Sequence, residues 1–97
     1  MAKPKNKTSP YQISAFTQAA RSRSFSKAAA VLGVTQSSIT QHVANLERVV
    51  GAQLLIRRRE GLELTRAGRE LFEVSDRLRN LEQMIEEKIG NYVDLST

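Results

Sequence analysis

Residues 26–50 constrain the fold more than any other part of the chain. Ser26 can cap a short alanine-rich helix over Lys27–Leu32, and Gly33 follows where a helix C-terminus favours a left-handed residue. Thr35 can then cap a second helix, so that only a tight turn separates the two. Two helices joined in this way form a helix-turn-helix outline, whose second helix can lie in the major groove of DNA.

The second helix has two contrasting faces. Apolar residues at helical spacing predict a stripe that faces the core, formed by Ile39, Val43, Leu46 and Val50. The opposite face holds Ser37, Gln41, Ala44 and Arg48, flanked by Ser38 and Thr40. Solvated helix faces are usually rich in Lys and Glu, whereas the side chains on this face are short and uncharged through its first two turns. Such a face can approach the edges of base pairs.

A further helix is predicted ahead of this pair. Ser9 can cap it, Pro10 suits its first position, and Ile13, Phe16 and Ala20 recur at helical spacing. We expect it to end near Ser22, which leaves Phe25 to pack beneath the next helix.

A β-hairpin is predicted after Gly51, which should end the second helix of the pair. The segment Leu54–Ile56 is typical of a short buried strand, Arg57–Gly61 of a turn, and Leu62–Leu64 of a returning strand. Three arginines would then lie at the tip of a wing, with Arg57 on phosphate and Arg58 or Arg59 in a minor groove. The alternative is an ordinary solvated basic turn.

The last predicted element is a long helix from Arg66 to about Ile89, capped by Thr65. It carries a nearly heptad apolar stripe about 36 Å long at 1.5 Å per residue. The members of this stripe are Leu71, Val74, Leu78, Leu81, Ile85 and Ile89. A helix of that length extends past so small a core, so we expect a second copy of the chain to cover it; packing back onto the domain is the alternative. Gly68 should mark a close contact in the first turn.

Charge is distributed unevenly along the 97 residues. Residues 1–46 hold six Lys or Arg and no acid, while residues 47–97 hold nine against ten acids, so that +6 and −1 give the net charge of +5. A basic N-terminal half suggests a polyanionic partner, although a solubilising surface is the alternative. The Lys-rich segment Met1–Ser9 is expected to be a flexible basic arm.

Several function classes are disfavoured by composition. The chain has no Cys, one His and no acid before Glu47, and its five glycines are scattered, so we predict neither an enzyme nor a metal or cofactor site. No apolar run approaches the roughly 20 residues of a membrane span, and the first ten residues lack a signal-peptide core. We therefore expect a cytoplasmic, nucleoid-associated protein.

The order of these segments resembles the N-terminal DNA-binding domain of LysR-type transcriptional regulators, over residues 11 to about 90. The matching residues are Phe16, Ser24–Ala29, Leu32–Thr40, Leu46, Glu47, Gly51, Leu54–Arg57, Gly61 and Leu64–Gly68. This chain departs from the family pattern with Ser37 where Pro is frequent, Gln41 where Arg is frequent, and Leu55 where Phe is usual. The first two lie on the DNA face, where Gln41 could pair bidentately with adenine.

The resemblance implies a mainly α fold with a small β-hairpin, a winged helix-turn-helix of three helices and a two-stranded wing, followed by a long linker helix. It places a basic arm at 1–9, the DNA-binding domain at 10–65, the linker and dimerisation helix at 66–90, and the start of a hinge at 91–97. Full regulators continue into a ligand-sensing domain that this sequence lacks, so we expect a DNA-binding portion rather than a naturally short relative.

The function expected from these observations is sequence-specific binding of double-stranded DNA by a homodimer that regulates transcription. The expected DNA-binding residues are Ser26, Lys27, Thr35, Gln36, Ser37, Ser38, Thr40, Gln41, His42, Arg57, Arg58 and Arg59. A small-molecule effector would act only through the absent domain. The alternative is a winged-helix module that binds a protein partner through its long helix.

Overall fold

The structure, a computed structural model, describes residues 8–96, with side chains described to residue 93. The predicted basic arm lies largely outside this range. The elements are α1 (Pro10–Ser22), α2 (Phe25–Leu32), α3 (Gln36–Val50), β1 (Leu55–Arg58), β2 (Gly61–Leu64) and α4 (Arg66–Ser96). This mainly helical architecture with one antiparallel hairpin confirms the predicted fold class.

The predicted starts of α1 and α3 are confirmed by their caps. The Ser9 hydroxyl accepts from backbone N–H groups of the first turn of α1, and the Gln12 side chain accepts in return from the Ser9 N–H at 3.3 Å. The Thr35 hydroxyl accepts from the Ser38 N–H at 3.1 Å. Residues outside the helices thus satisfy N–H groups that the first turns leave without partners.

The predicted cap of α2 is wrong: the helix begins at Phe25, and Ser24 is its cap. The Ser24 hydroxyl accepts from the Lys27 N–H at 3.1 Å, while Ser26 lies exposed within the first turn. The earlier start places the buried Phe25 ring on the same helix face as Ala28 and Ala29. Burial of the ring therefore selects Ser24 over Ser26.

The core lies between the three short helices and the hairpin. Its largest fully buried side chains are Phe16, Ile39, Leu46 and Leu54. Val50 was expected in this core but is 44% exposed. It is the last residue of α3, and the chain turns away at the left-handed Gly51 before another element can cover it.

The hairpin has longer strands and a shorter turn than predicted. Arg58 pairs with Gly61, so only two residues form the turn, and Arg57 and Arg58 belong to β1. Gly61 has a φ of +130°, which permits so tight a reversal. The expectation that all three arginines lie at the tip is therefore wrong, because only Arg59 occupies the turn.

The hairpin is fixed at both ends to the helical core. The Glu47 carboxylate accepts from the N–H of Leu54 at 2.7 Å and of Leu55 at 3.3 Å. The Leu62 N–H donates to the Arg23 carbonyl at 3.0 Å, and the Arg23 Nε donates back to the Leu62 carbonyl at 3.2 Å. These contacts hold the wing against α3 and the turn between α1 and α2.

Helix α4 continues to Ser96, beyond the predicted end near Ile89 and through the residues expected to begin a hinge. Its start is as predicted, since the Thr65 hydroxyl accepts from the Gly68 N–H at 3.0 Å. Gly68 also makes the expected close contact, because a Cβ there would overlap the Leu54 carbonyl oxygen.

Among residues 8–96, no helix has both the length and the apolar character needed to cross a membrane.

Candidate nucleic-acid interface

The outward face of α3 is exposed and polar, as predicted. A shallow groove runs along it between Gln36, Ser37, Thr40, Gln41 and Ala44. The groove has no ionic side chain in its lining, so a base edge could approach without displacing a salt bridge.

Several side chains of this face are held by their neighbours. The Thr40 hydroxyl donates to the Gln36 carbonyl at 3.0 Å, and the Gln41 amide donates to Asn45 at 3.1 Å. Arg48 also donates to the Asn45 Oδ1, at 2.9 Å. Asn45 was not among the predicted site residues, although its spacing of four from Gln41 is the signal that could have indicated the contact.

A second groove, of about 390 Å³, brings together six of the predicted residues from three elements. Its lining includes Ser26 and Lys27 of α2, Gln36 of α3, and Arg57, Arg58 and Arg59 of the hairpin. Arg23 and Ser24 also line it and were missed, because only the docking of β2 on the turn after α1 places them there. The groove is strongly basic, with Glu60 its single acid.

The three hairpin arginines have different surroundings. Arg57 pairs with the buried Leu62, so it shares the inward face of the hairpin, and its guanidinium lies 4.7 Å from the centre of the Phe25 ring. Arg58 lies on the other face and donates to the Glu63 carboxylate at 2.7 Å. Arg59 is exposed in the turn. Arg57 is thus held beside α2, while Arg59 projects at the tip.

His42 lies apart from both grooves. Its ring stacks on Tyr11 of α1 with the ring centres 6.4 Å apart. Helical spacing places it on the flank of α3 that faces α1, whereas Gln36 and Thr40 lie on the flank that faces the hairpin. His42 therefore contacts α1 through Tyr11.

The predicted apolar stripe of α4 is exposed along most of its length. Leu71 packs against the core, whereas the remaining members are each more than half exposed: Val74, Leu78, Leu81, Ile85 and Ile89. Met84, Tyr92 and Val93 extend the exposed apolar surface and were not predicted.

Comparison with known proteins agrees with this geometry. The family model of the bacterial regulatory helix-turn-helix proteins of the lysR family matches residues 10–69. The HTH-type transcriptional activator AmpR of Citrobacter freundii is 47% identical over 62 residues, covering 64% of this chain and 21% of AmpR. The matched part of the chain spans between about a fifth and two fifths of the length of its curated relatives.

Two solved structures with bound DNA are similar to the chain. The complex of the BenM DBD with catB site 1 DNA has a TM-score of 0.70 at 27% identity, covering 84% of this chain and 92% of that one. Vibrio fischeri DarR in complex with DNA has a TM-score of 0.69 at 31% identity, covering 94% of this chain and 30% of DarR.

Proposed function

Because the chain belongs to the lysR family of bacterial regulatory helix-turn-helix proteins, we propose that it binds a specific double-stranded DNA sequence as a homodimer and regulates transcription. The observation that carries this proposal is the basic groove, which joins the start of α2, the start of α3 and the wing on one surface. Such a protein would act in the cytoplasm, on the nucleoid.

In this proposal α3 enters the major groove and reads base edges. Gln36, Ser37 and Gln41 are exposed on its outward face, and a glutamine can pair bidentately with adenine. Thr35, Ser38 and Thr40 support this face at its start and along its flanks. His42, stacked on Tyr11, would reach the phosphates beside α1.

The residues around the basic groove anchor the DNA backbone. Ser26 and Lys27 lie exposed in the first turn of α2, where the N-terminal end of the helix dipole favours a phosphate. Arg57 is oriented by the Phe25 ring toward the same groove, and Arg59 extends from the wing toward the adjacent minor groove. Arg58 contributes less, since Glu63 already neutralises it.

The homodimer is proposed from α4. Five large apolar side chains on one stripe are each more than half exposed, which is uncommon for a monomer. A second copy of the same helix offers a complementary stripe, and the mixed charges beside it suit a coiled-coil flank. The dimer would place two α3 helices on successive half-sites.

Selection from random duplex DNA, followed by affinity measurements over a range of salt concentrations, tests the proposed function. We expect an enriched site with two related half-sites about one helical turn, 10–10.5 bp, apart. We also expect the affinity for that site to fall steeply with salt, because each neutralised phosphate releases counterions. An enriched pool without half-sites would contradict the homodimer, and an affinity independent of salt would contradict the backbone contacts.

A further inference from the structure

The buried polar side chains of this domain are concentrated where α1 meets α4. Thr17, Gln18 and Ser75 are 3–6% exposed, and they are the polar residues that the core of the described chain encloses. The remainder of that core is apolar. Polar groups withdrawn from water in this way need specific partners, so their partners define how the two helices fit together.

Each of these side chains has a partner on the opposite helix or beside it. The Thr17 hydroxyl donates to the Ser75 hydroxyl at 2.9 Å, with the Ile13 carbonyl of its own helix as an alternative acceptor at 2.7 Å. Arg79 donates to the Gln18 amide oxygen at 2.6 Å. Arg21 forms an ion pair with Asp76. We call these three contacts, made by Thr17, Gln18, Arg21, Ser75, Asp76 and Arg79, the α1–α4 polar contact.

The α1–α4 polar contact includes the last buried and half-buried side chains of α4, Ser75 and Asp76. Residues 77–93 are exposed throughout, so none of their side chains is buried against the domain. Apolar surfaces could slide or roll against each other, whereas hydrogen bonds between buried groups specify one arrangement. These three contacts, together with the packing of Gly68, Leu71 and Phe72 against the domain, therefore set the direction in which α4 leaves it.

Direction matters because α4 is long. Its exposed part beyond Arg79 extends about 20 Å at 1.5 Å per residue, so a tilt of about 10° displaces its end by about 4 Å. That displacement is close to the 3.4 Å rise of one base pair. In a dimer joined through α4, both domains would be displaced, and the two α3 helices would no longer match half-sites of the original spacing.

We propose that the α1–α4 polar contact determines which half-site spacing the protein accepts. Thr17 and Ser75 are positioning residues: they touch no DNA, but they hold α4 so that the two domains meet half-sites at one distance. This proposal rests on the proposed function, since it needs a homodimer joined through α4.

The test removes the buried hydroxyl pair and leaves the apolar packing. In the variant Thr17→Val/Ser75→Ala both partners are lost together, which avoids an unsatisfied buried group and keeps the fold. The matched control Ser14→Ala/Asn80→Ala changes exposed residues on the same two helices. The probe is the duplex selected by the wild-type chain, with one or two base pairs added or removed between its half-sites.

We expect wild type and control to lose about tenfold or more in affinity at each altered spacing. The Thr17→Val/Ser75→Ala variant should lose less than about threefold and keep its affinity for a single half-site, because its domains can adjust to the new distance. A variant profile parallel to that of wild type would overturn the proposal. A wild type without any spacing preference would also overturn it, while leaving DNA binding intact.

A second measurement tests the arrangement of the two domains in the dimer without DNA. The chain has no Cys, so Ala30→Cys, on the exposed side of α2, places one spin label in each protomer. We expect the distribution of label-to-label distances in the dimer to be narrow for wild type and about twice as broad for Thr17→Val/Ser75→Ala. Equal widths would overturn the proposal even if no DNA site were found, whereas a monomeric wild type would instead overturn the homodimer.

Discussion

At Gly68 the start of α4 lies directly against the carbonyl of Leu54, with no side chain between them. An added Cβ would overlap that carbonyl and come within 3.1 Å of the Leu64 side chain. We expect Gly68→Ala to lower the free energy of unfolding by about 1–3 kcal/mol, as overpacking does elsewhere. Urea unfolding at one fixed protein concentration measures this.

Gly90 is the matched control for that substitution, because it lies on the same helix with nothing within 4 Å of an added Cβ. Gly90→Ala should raise the free energy of unfolding by about 0.5–1 kcal/mol, since alanine is the better helix former. Similar effects from both substitutions would show that the contact with Leu54 does not limit the packing.

Gln36 and Arg57 lie on the same basic groove but should affect DNA binding differently. Gln36 is exposed on the face proposed to read bases, whereas Arg57 is held beside α2 by the Phe25 ring. We expect Gln36→Ala to relax the preference among DNA sequences. We expect Arg57→Ala to weaken binding to all sequences alike and to reduce the slope of log affinity against log salt concentration by about one, as the loss of one phosphate contact does. Affinities for the selected site and for unrelated DNA at several salt concentrations measure both effects.

Arg77→Ala is the control, because Arg77 is exposed on α4 and its change in charge equals that of Arg57→Ala. It should leave the preference among sequences unchanged and weaken binding less than Arg57→Ala does. If Gln36→Ala and Arg57→Ala reduced the affinity for every sequence equally, base reading and anchoring could not be separated in this way.

Residue patterns predicted most of the helix caps correctly. Ser9 and Thr35 are such cases, and both are confirmed. Ser26 was predicted as the cap of α2, whereas Ser24 is the cap, because the burial of Phe25 places that residue within the helix. Arg23 was missed as a groove residue because its contact with Leu62 joins residues 39 apart in the chain.

At the scale of elements, the wing depends on one carboxylate of α3. Glu47 accepts the N–H groups of Leu54, just ahead of the hairpin, and of Leu55, the first residue of β1. Glu47→Ala would leave both groups without this acceptor, and we expect a loss of about 1–3 kcal/mol in the free energy of unfolding. We also expect faster hydrogen exchange at the Leu54 and Leu55 amides.

Glu73→Ala is the control for charge and helix propensity, since Glu73 is exposed on α4. Its effect on stability should stay within about 0.5 kcal/mol. If hydrogen exchange at the two amides of the hairpin were unchanged in Glu47→Ala, another group would be their acceptor.

The helices and strands could be predicted where the apolar spacing ended at a residue that terminates such an element. The core-facing stripe of α3 is confirmed except for Val50, and the end of α3 at Gly51 and the antiparallel pairing of the hairpin are confirmed. The predicted strand lengths were wrong. The apolar segment Leu54–Ile56 is too short to show where the strand ends, and it cannot show that Arg58 pairs with Gly61. The end of α4 was wrong because Gly90 does not interrupt the helix.

At the scale of the whole molecule, the stripe of α4 should control assembly. Leu81 is 56% exposed in the middle of that stripe, and a charge there would have to be buried in the proposed dimer. We expect Leu81→Glu to weaken dimerisation by about 100-fold or more, measured by sedimentation over a range of protein concentrations. DNA affinity should fall with it.

Gln83→Glu adds the same charge to α4 at an exposed position well away from the stripe. It should leave the dimer within about threefold of wild type. A dimer that tolerated Leu81→Glu as well as Gln83→Glu would have its interface elsewhere.

The outline of the molecule could be predicted from the sequence, but the direction of α4 could not. Thr17 and Ser75 are separated by 58 positions, and neither belongs to a pattern that local spacing would reveal. Their proximity follows from how the whole core packs. The same holds for Arg79 and Gln18, which lie 61 positions apart.

The exposed stripe of α4 also has a consequence for how a cell would respond to this protein. Where the concentration lies below the dissociation constant of the proposed dimer, the amount of dimer follows the square of the amount of chain. Halving the synthesis of the chain would then lower the amount of dimer about fourfold. Dimerisation through α4 would therefore make promoter occupancy change more steeply than expression does.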